Sequence, residues 1–333
     1  MDVRHVQITG GSSFMITLPK EWANSVGLNK NDTINVQAQP DGTLLLFPRG
    51  VQPLAQKRTS KSIDVTDVTD LKFIYRELIG AYIAGHTTIM VKSAQPMSKE
   101  LTSVVSSFVQ TAMGLEMIEA DESHILIANL IEHEAIDMKK IVERMGSLVK
   151  NNVKDVYHAV QTGDYSRIGN MAVKDSEINR IYWLTHRQYN MYQKNLTSLT
   201  KDGPSMLKFT GCLFLSRVLE GIGDHVVSVS KFILGIKGGG SPIKLDPFVA
   251  ELGERIIANL DLSIKSWINL DIELAHQAIK EADELVIDAE RSMVGNLKSS
   301  ERSSLNAVLE LFTIVVAEYC KYISEFSFSA SME

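Results

Sequence analysis

From residue 132 onward the apolar positions recur every three to four residues, the period of a helix with one buried face. Six such runs can be counted: 132–162, 165–199, 204–234, 247–270, 272–297 and 301–328. The breaks between them carry Gly163-Asp164, Asp202-Gly203-Pro204, Gly238 to Pro242, Asp271 and Ser299-Ser300, all turn or capping chemistry. Upstream the period shortens towards two. Residues 61–65, 87–91, 115–120 and 124–130 read as strands, with amphipathic helices over 67–84 and 98–113 between them. That order predicts a small α/β layer over 61–130. The first fifty residues predict strands over 3–9, 14–18, 33–38 and 43–47 around one short helix over 20–26 that Pro19 opens. Residues 51–60, polar and holding Pro53 and Lys57-Arg58, read as a linker.

The helical part divides at the glycine- and proline-rich stretch 236–246 into two three-helix units, 131–235 and 247–333. Short echoes make them an internal repeat: Ala172-Val-Lys-Asp175 returns as Ala278-Ile-Lys-Glu281, and Val218-Leu-Glu220 as Val316-Ala-Glu318. The stretch 213–233 is the most informative. Val218, Leu219, Ile222, Val226, Val229 and Ile233 form its apolar stripe, while Glu220 and Asp224 stand one turn apart on one face. Gly221 and Gly223 each cost a helix about 1 kcal/mol relative to alanine. A helix that accepts two like charges and two glycines implies a carboxylate face with a close neighbour. Glu284 and Asp288 repeat the spacing, Asp175 has Asn179 where a second carboxylate would stand, and Glu318 has Tyr322.

Arg217-Val-Leu-Glu-Gly-Ile-Gly-Asp-His225 resembles the signature helix of PhoU proteins, phosphate-signalling regulators built as helical bundles. The resemblance covers the helical region and implies that Asp175, Glu220, Asp224, Glu284, Asp288 and Glu318 gather around metal ions. Hard oxygen ligands suit Mg, Ca, Mn or ferric and ferrous iron, with Zn also open. The alternative is a solvated acidic groove that meets a basic partner. At the other end, the LPKEW run after the second strand and GLNKND after the helix resemble AbrB/SpoVT-type domains over 1–50. That likeness implies a swapped-hairpin homodimer, many of whose relatives bind double-stranded DNA. The cations placed to touch phosphates are Arg4, Lys20 and Lys30, with His5 beside them. Four basic residues (Arg4, Lys20, Lys30, Arg49) are balanced by Asp2, Glu21, Asp32 and Asp41, and the first turn holds Gly11, Ser12 and Ser13 where DNA-binding members carry arginine. A neutral domain binds DNA weakly unless dimerisation concentrates its cations, so dimerisation alone is the competing role. The two halves together are similar to archaeal phosphate uptake regulators.

Composition narrows the classes. The chain has 333 residues, is 44% hydrophobic and 22% charged, and carries a formal charge of −6, values of a folded protein that does not coat nucleic acid indiscriminately. Its two cysteines, Cys212 and Cys320, lie in apolar helical runs and read as buried thiols of a reducing compartment. No signal peptide or bilayer-length apolar run is evident, which predicts a cytoplasmic protein without membrane insertion. No nucleotide fingerprint or nucleophile–base motif appears, so the expectation is a non-enzymatic regulator. Two roles compete: a DNA-binding transcriptional regulator whose bundle senses metal or phosphate, and an adaptor contacting a phosphate transporter ATPase or sensor kinase. Glu273 and His276 match one Glu-x-x-His of di-iron carboxylate enzymes, a third and weaker alternative because the second motif is missing.

Overall fold

The structure is a computed structural model that describes residues 3–11, 13–38, 42–48, 59–130, 137–194, 206–237, 245–296 and 304–332. The chain falls into two compact parts, one of residues 1–59 with 193–203 and a body of residues 60–192 and 204–333.

In the N-terminal segment β1 (Gln7–Thr9) pairs antiparallel with β2 (Ser13–Met15), α1 (Lys20–Ser25) follows, and β3 (Ile34–Ala38) pairs antiparallel with β4 (Leu44–Pro48). Gly10 and Gly11, at φ +64 and +83, make the turn of the first hairpin in a region other residues avoid. The strands expected over 3–9 and 14–18 shrink to three residues each. Among the described residues each has a single neighbouring strand; all six residues of the pair are exposed, and two strands alone hold a short ladder. The expected linker lies mostly outside the described residues.

The body opens with the α/β layer. β5 (Ser60–Asp64), α2 (Leu71–Ile83), β6 (Thr88–Lys92), α3 (Lys99–Thr111), β7 (Leu115–Ala120) and β8 (His124–Asn129) follow one another as the pattern predicts. The sheet order is β5-β6-β8-β7, parallel between β5 and β6 and antiparallel elsewhere. Helix α2 begins four residues later than expected because Asp70 caps it, accepting the N–H of Lys72 at 2.9 Å. Ser98 caps α3 in the same way, through the N–H of Leu101. Ile63, Ile74, Leu78, Tyr82, Ile89, Val91, Val105, Phe108, Ile125 and Ile127 form the core between helices and sheet.

The helical region follows: α4 (Met138–Thr162), α5 (Ser166–Gly169), α6 (Met171–Lys194), α7 (Met206–Lys237), α8 (Pro247–Asn269), α9 (Ile272–Asn296) and α10 (Ser304–Ser331). The single helix expected over 165–199 is interrupted. Asn170 leaves helical geometry at φ −107, ψ 21, and Asp155 of α4 holds Arg167 before the break and Lys174 after it. Both units share one hydrophobic core, to which all seven helices contribute. Where α4 meets α8 the contact is reciprocal. A side-chain carbon at Gly146 would stand 3.1 Å from Ile264, and one at Gly253 would enter the ring of Tyr157. Gly253 and Ile264 have the spacing of Gly146 and Tyr157, so the two helices present the same surface to each other, as in a two-fold contact. The same shift along the chain carries buried Asn152 onto buried Asn259. The sequence repeat thus shows in space where α4 meets α8.

Candidate functional site

The first unit brings together three of the residues its sequence singles out. Asp175 comes from α6, and Glu220 and Asp224 from α7. Gly223 is what lets the helices meet: a side-chain carbon there would stand 2.9 Å from Asp175 Oδ1. Gly221 likewise admits the Tyr319 hydroxyl of α10, 2.7 Å from where such a carbon would be. The two glycines that weaken α7 are therefore the close approaches that its sequence implies.

Asp175 is half-buried. Its Oδ2 accepts the side-chain N–H of Asn179 at 2.8 Å, while its Oδ1 is buried and has no hydrogen-bond partner. Burial, and after it the charge of Asp224, push its pKa up to about 6, against the pull of Asn179 and Lys231. The Glu220 pKa is raised too, by burial first, with Asp224 and Asp175 adding and Arg217 opposing. Arg217, mostly exposed, bridges Glu220 from one turn earlier on the same helix. Asp224 and its neighbour His225 are exposed. As the side chains lie, no three Asp, Glu, His or Cys residues among those described stand close enough to hold one ion.

The expected carboxylates of the second unit do not gather in this way. Arg255 of α8 bridges two residues of α9, Glu281 and Asp288, each at 2.8 Å. Lys321 of α10 binds Glu318 at 2.8 Å and Asp283 at 3.2 Å. Arg291 approaches Asp288 at 3.4 Å, and Glu284 is exposed. The cations differ between the units: Arg217 is 62% exposed and meets one carboxylate, Glu220, whereas Arg255 and Lys321 are sheltered and each neutralises two carboxylates at once. The first unit thus leaves one buried carboxylate oxygen, Asp175 Oδ1, without a partner, whereas Glu281, Asp288 and Glu318 of the second are each held by Arg255 or Lys321.

Elsewhere the expected sites separate. Arg4, His5, Lys20 and Lys30 are all exposed, Arg4 and His5 just before β1, Lys20 as the first residue of α1, and Lys30 after it. Glu273 and His276, at the start of α9, are exposed and face no described partner carboxylate set. Cys212 and Cys320 are buried thiols as expected, both pushed up to about 12 by burial. Two features escape sequence reasoning. One is the pair of counter-ions Arg255 and Lys321. The other is Arg187 of α6, fully buried, which donates to the backbone carbonyls of Tyr82 and His86 and lies over the Tyr82 ring.

The family comparisons agree with this layout. The PhoU domain matches residues 142–233, the span of α4 to α7, and the family described as "Antidote-toxin recognition MazE, bacterial antitoxin" matches residues 7–53. A PhoU structure from Pseudomonas aeruginosa superposes with a TM-score of 0.51 at 15% identity, covering 57% of this chain and 93% of that one. The helical region is PhoU-like. The chain thus joins a MazE/AbrB-like N-terminal domain to a PhoU-like bundle. A phosphate-specific transport system accessory protein PhoU homolog of Caulobacter vibrioides is 30% identical over 147 residues, and a homolog so named in Borreliella burgdorferi is 23% identical over 208. Of the Caulobacter protein the chain spans 61% of the length, and of the Borreliella protein 85%. No helix among the described residues is long and apolar enough to cross a membrane.

Proposed function

We propose that this protein is a cytoplasmic accessory regulator of phosphate transport that acts on DNA, with its first helical unit as the sensing element. The observation that carries the reading is the fusion itself: a PhoU-like bundle behind a segment of MazE/AbrB type. In this reading Asp175, Glu220 and Asp224 take up a divalent or ferric ion, for which the unpartnered Oδ1 of Asp175 and the close approach at Gly223 are the support. The ion, when bound, would add positive charge to a carboxylate face whose cations, Arg217 and Lys231, are both exposed. Asp175 of α6 and Glu220 and Asp224 of α7 would be the residues to hold it. The N-terminal segment pairs two copies and presents Arg4, His5, Lys20 and Lys30 to phosphates, as regulation rather than catalysis requires.

The test is DNA binding by the full-length protein to a duplex from upstream of phosphate-transport genes, titrated at low and moderate salt. Binding that weakens steeply with salt and is lost in Arg4→Ala/Lys20→Ala is the expected result. Absence of binding at low salt overturns the DNA role. It leaves the second reading, which the neutral charge balance of the N-terminal segment favours: an adaptor that contacts a phosphate transporter ATPase or a sensor kinase, with that segment serving only to dimerise it.

A further inference from the structure

The two units are built on one plan but balance their charges differently. The shift along the chain that superimposes the α4 and α8 contacts carries Leu148 onto Arg255. Leu148 packs against the shared core, so the first unit has an apolar side chain where the second has a guanidinium. The shift that carries Val218 and Glu220 onto Val316 and Glu318 carries Gly223 onto Lys321, and Asp224 onto Tyr322. Gly223 is the residue against which Asp175 Oδ1 rests without a partner, whereas Lys321 binds two carboxylates. Both cations of the second unit therefore stand at positions that are neutral in the first. Both are well sheltered, with 24% and 21% of their side-chain surface exposed, and each bridges two carboxylates rather than one. A bridging cation held between helices does electrostatically what a bridging ion does, without dissociating.

We propose that Arg255 and Lys321 are resident counter-ions that stand in the second unit in place of metal, so that the chain takes up ions in its first unit alone. The half-site in the first unit rests on the reading given above. The counter-ion role of Arg255 and Lys321 does not. It follows that only α6 and α7 respond to ions, while α8, α9 and α10 keep a fixed charge balance.

Manganese uptake by the full-length protein, measured by equilibrium dialysis with elemental analysis, separates these statements. Asp175→Asn/Asp224→Asn is expected to abolish uptake, and Glu281→Gln/Glu318→Gln to leave it within about twofold of wild type. Arg255→Gln/Lys321→Gln, placed in the Asp175→Asn/Asp224→Asn background, is expected to restore uptake by uncovering the second set of carboxylates. Loss of uptake in Glu281→Gln/Glu318→Gln, or no restoration in the folded four-site variant, overturns the counter-ion role. A wild type that binds no manganese overturns the first-unit reading alone, and the four-site variant still decides the other. Should that variant fail the check of folding by circular dichroism, Lys321→Gln alone in the same background carries the same expectation and the same overturning result, since it frees Glu318 and Asp283 without touching α8.

Discussion

Asp175 faces a half-buried, like-charged setting that a soluble helix would not keep for stability alone. One of its oxygens has Asn179 and the other has no partner, and the neighbouring Asp224 charge opposes its ionisation. With its pKa raised to about 6, the carboxylate is ionised at neutral pH at a cost to the folded state. The neutral isostere removes that cost and keeps the Asn179 contact. Asp175→Asn is therefore expected to raise stability in the absence of metal by about 1 kcal/mol at neutral pH, a figure already reduced for solvent screening of a half-exposed group. The same substitution is expected to cancel any rise in melting temperature that manganese gives wild type. Thermal unfolding with chelator and with manganese measures both. A variant less stable than wild type in chelator would place Asp175 in the structure as an ordinary ion-pair member. The pairing of Glu220 with Asp224 is legible in the sequence because both lie on one helix. That Asp175 joins them depends on the Gly223 contact between helices. The sequence hints at that contact only through the two costly glycines.

At the scale of elements, α6 has two tasks. Its N-terminal half carries Asp175 and buries Ile178 and Ile181 in the helical core. Its C-terminal half seals the α/β layer. Trp183 meets the Tyr75 ring edge-on at 6.2 Å, Asn190 donates to the carbonyl of Ile83 at 2.9 Å, and Arg187 donates to Tyr82 and His86. The accepting carbonyls of Tyr82 and Ile83 belong to the last turn of α2, where a cation complements the helix dipole. Burial lowers the Arg187 pKa only to about 10, so it remains charged at physiological pH. Arg187→Met keeps the volume but removes the guanidinium donors from the carbonyls of Tyr82 and His86 in a dry site, leaving the Tyr82 carbonyl with the N–H of Gly85. The expected loss is about 2–4 kcal/mol, read by chemical denaturation, with protection from hydrogen exchange falling at the end of α2 as well as in α6. A loss confined to α6 would mean that the two parts of the body fold independently. The helices and strands themselves were legible, since periods of two and of three to four decide them. Arg187 was not, because a lone arginine on a helix is ordinarily solvated, and only the arrival of the α2 carbonyls makes it a core residue.

At the scale of the whole molecule, the N-terminal segment is the part with the most exposed apolar surface for its size. None of residues 3–11, 13–36, 38, 42–46 and 48 is buried. Ile8 and Phe14 face each other across the first hairpin with 69% and 77% of their surface exposed, and Val3, Val6, Ile16, Val36 and Leu44 are exposed as well. So large an apolar share on so small a segment marks an association surface. The strand pattern announced the hairpins, but the strands come out short, as isolated ladders do without a layer to pack on. In the dimeric reading a second copy would supply that layer by pairing hairpins from two chains, and the isologous contact would cover the Ile8–Phe14 pair on both. Ile8→Asp/Phe14→Asp is expected to convert a dimer to a monomer in sedimentation equilibrium. The melting transition of the body should stay in place, because those residues contribute nothing to either of its cores. Loss of DNA binding in the same variant would follow in the transcriptional reading, where phosphate contacts from one neutral segment are too few to hold a duplex. A variant that stays dimeric would move the association surface to the body and leave the exposed hairpin for a different protein partner.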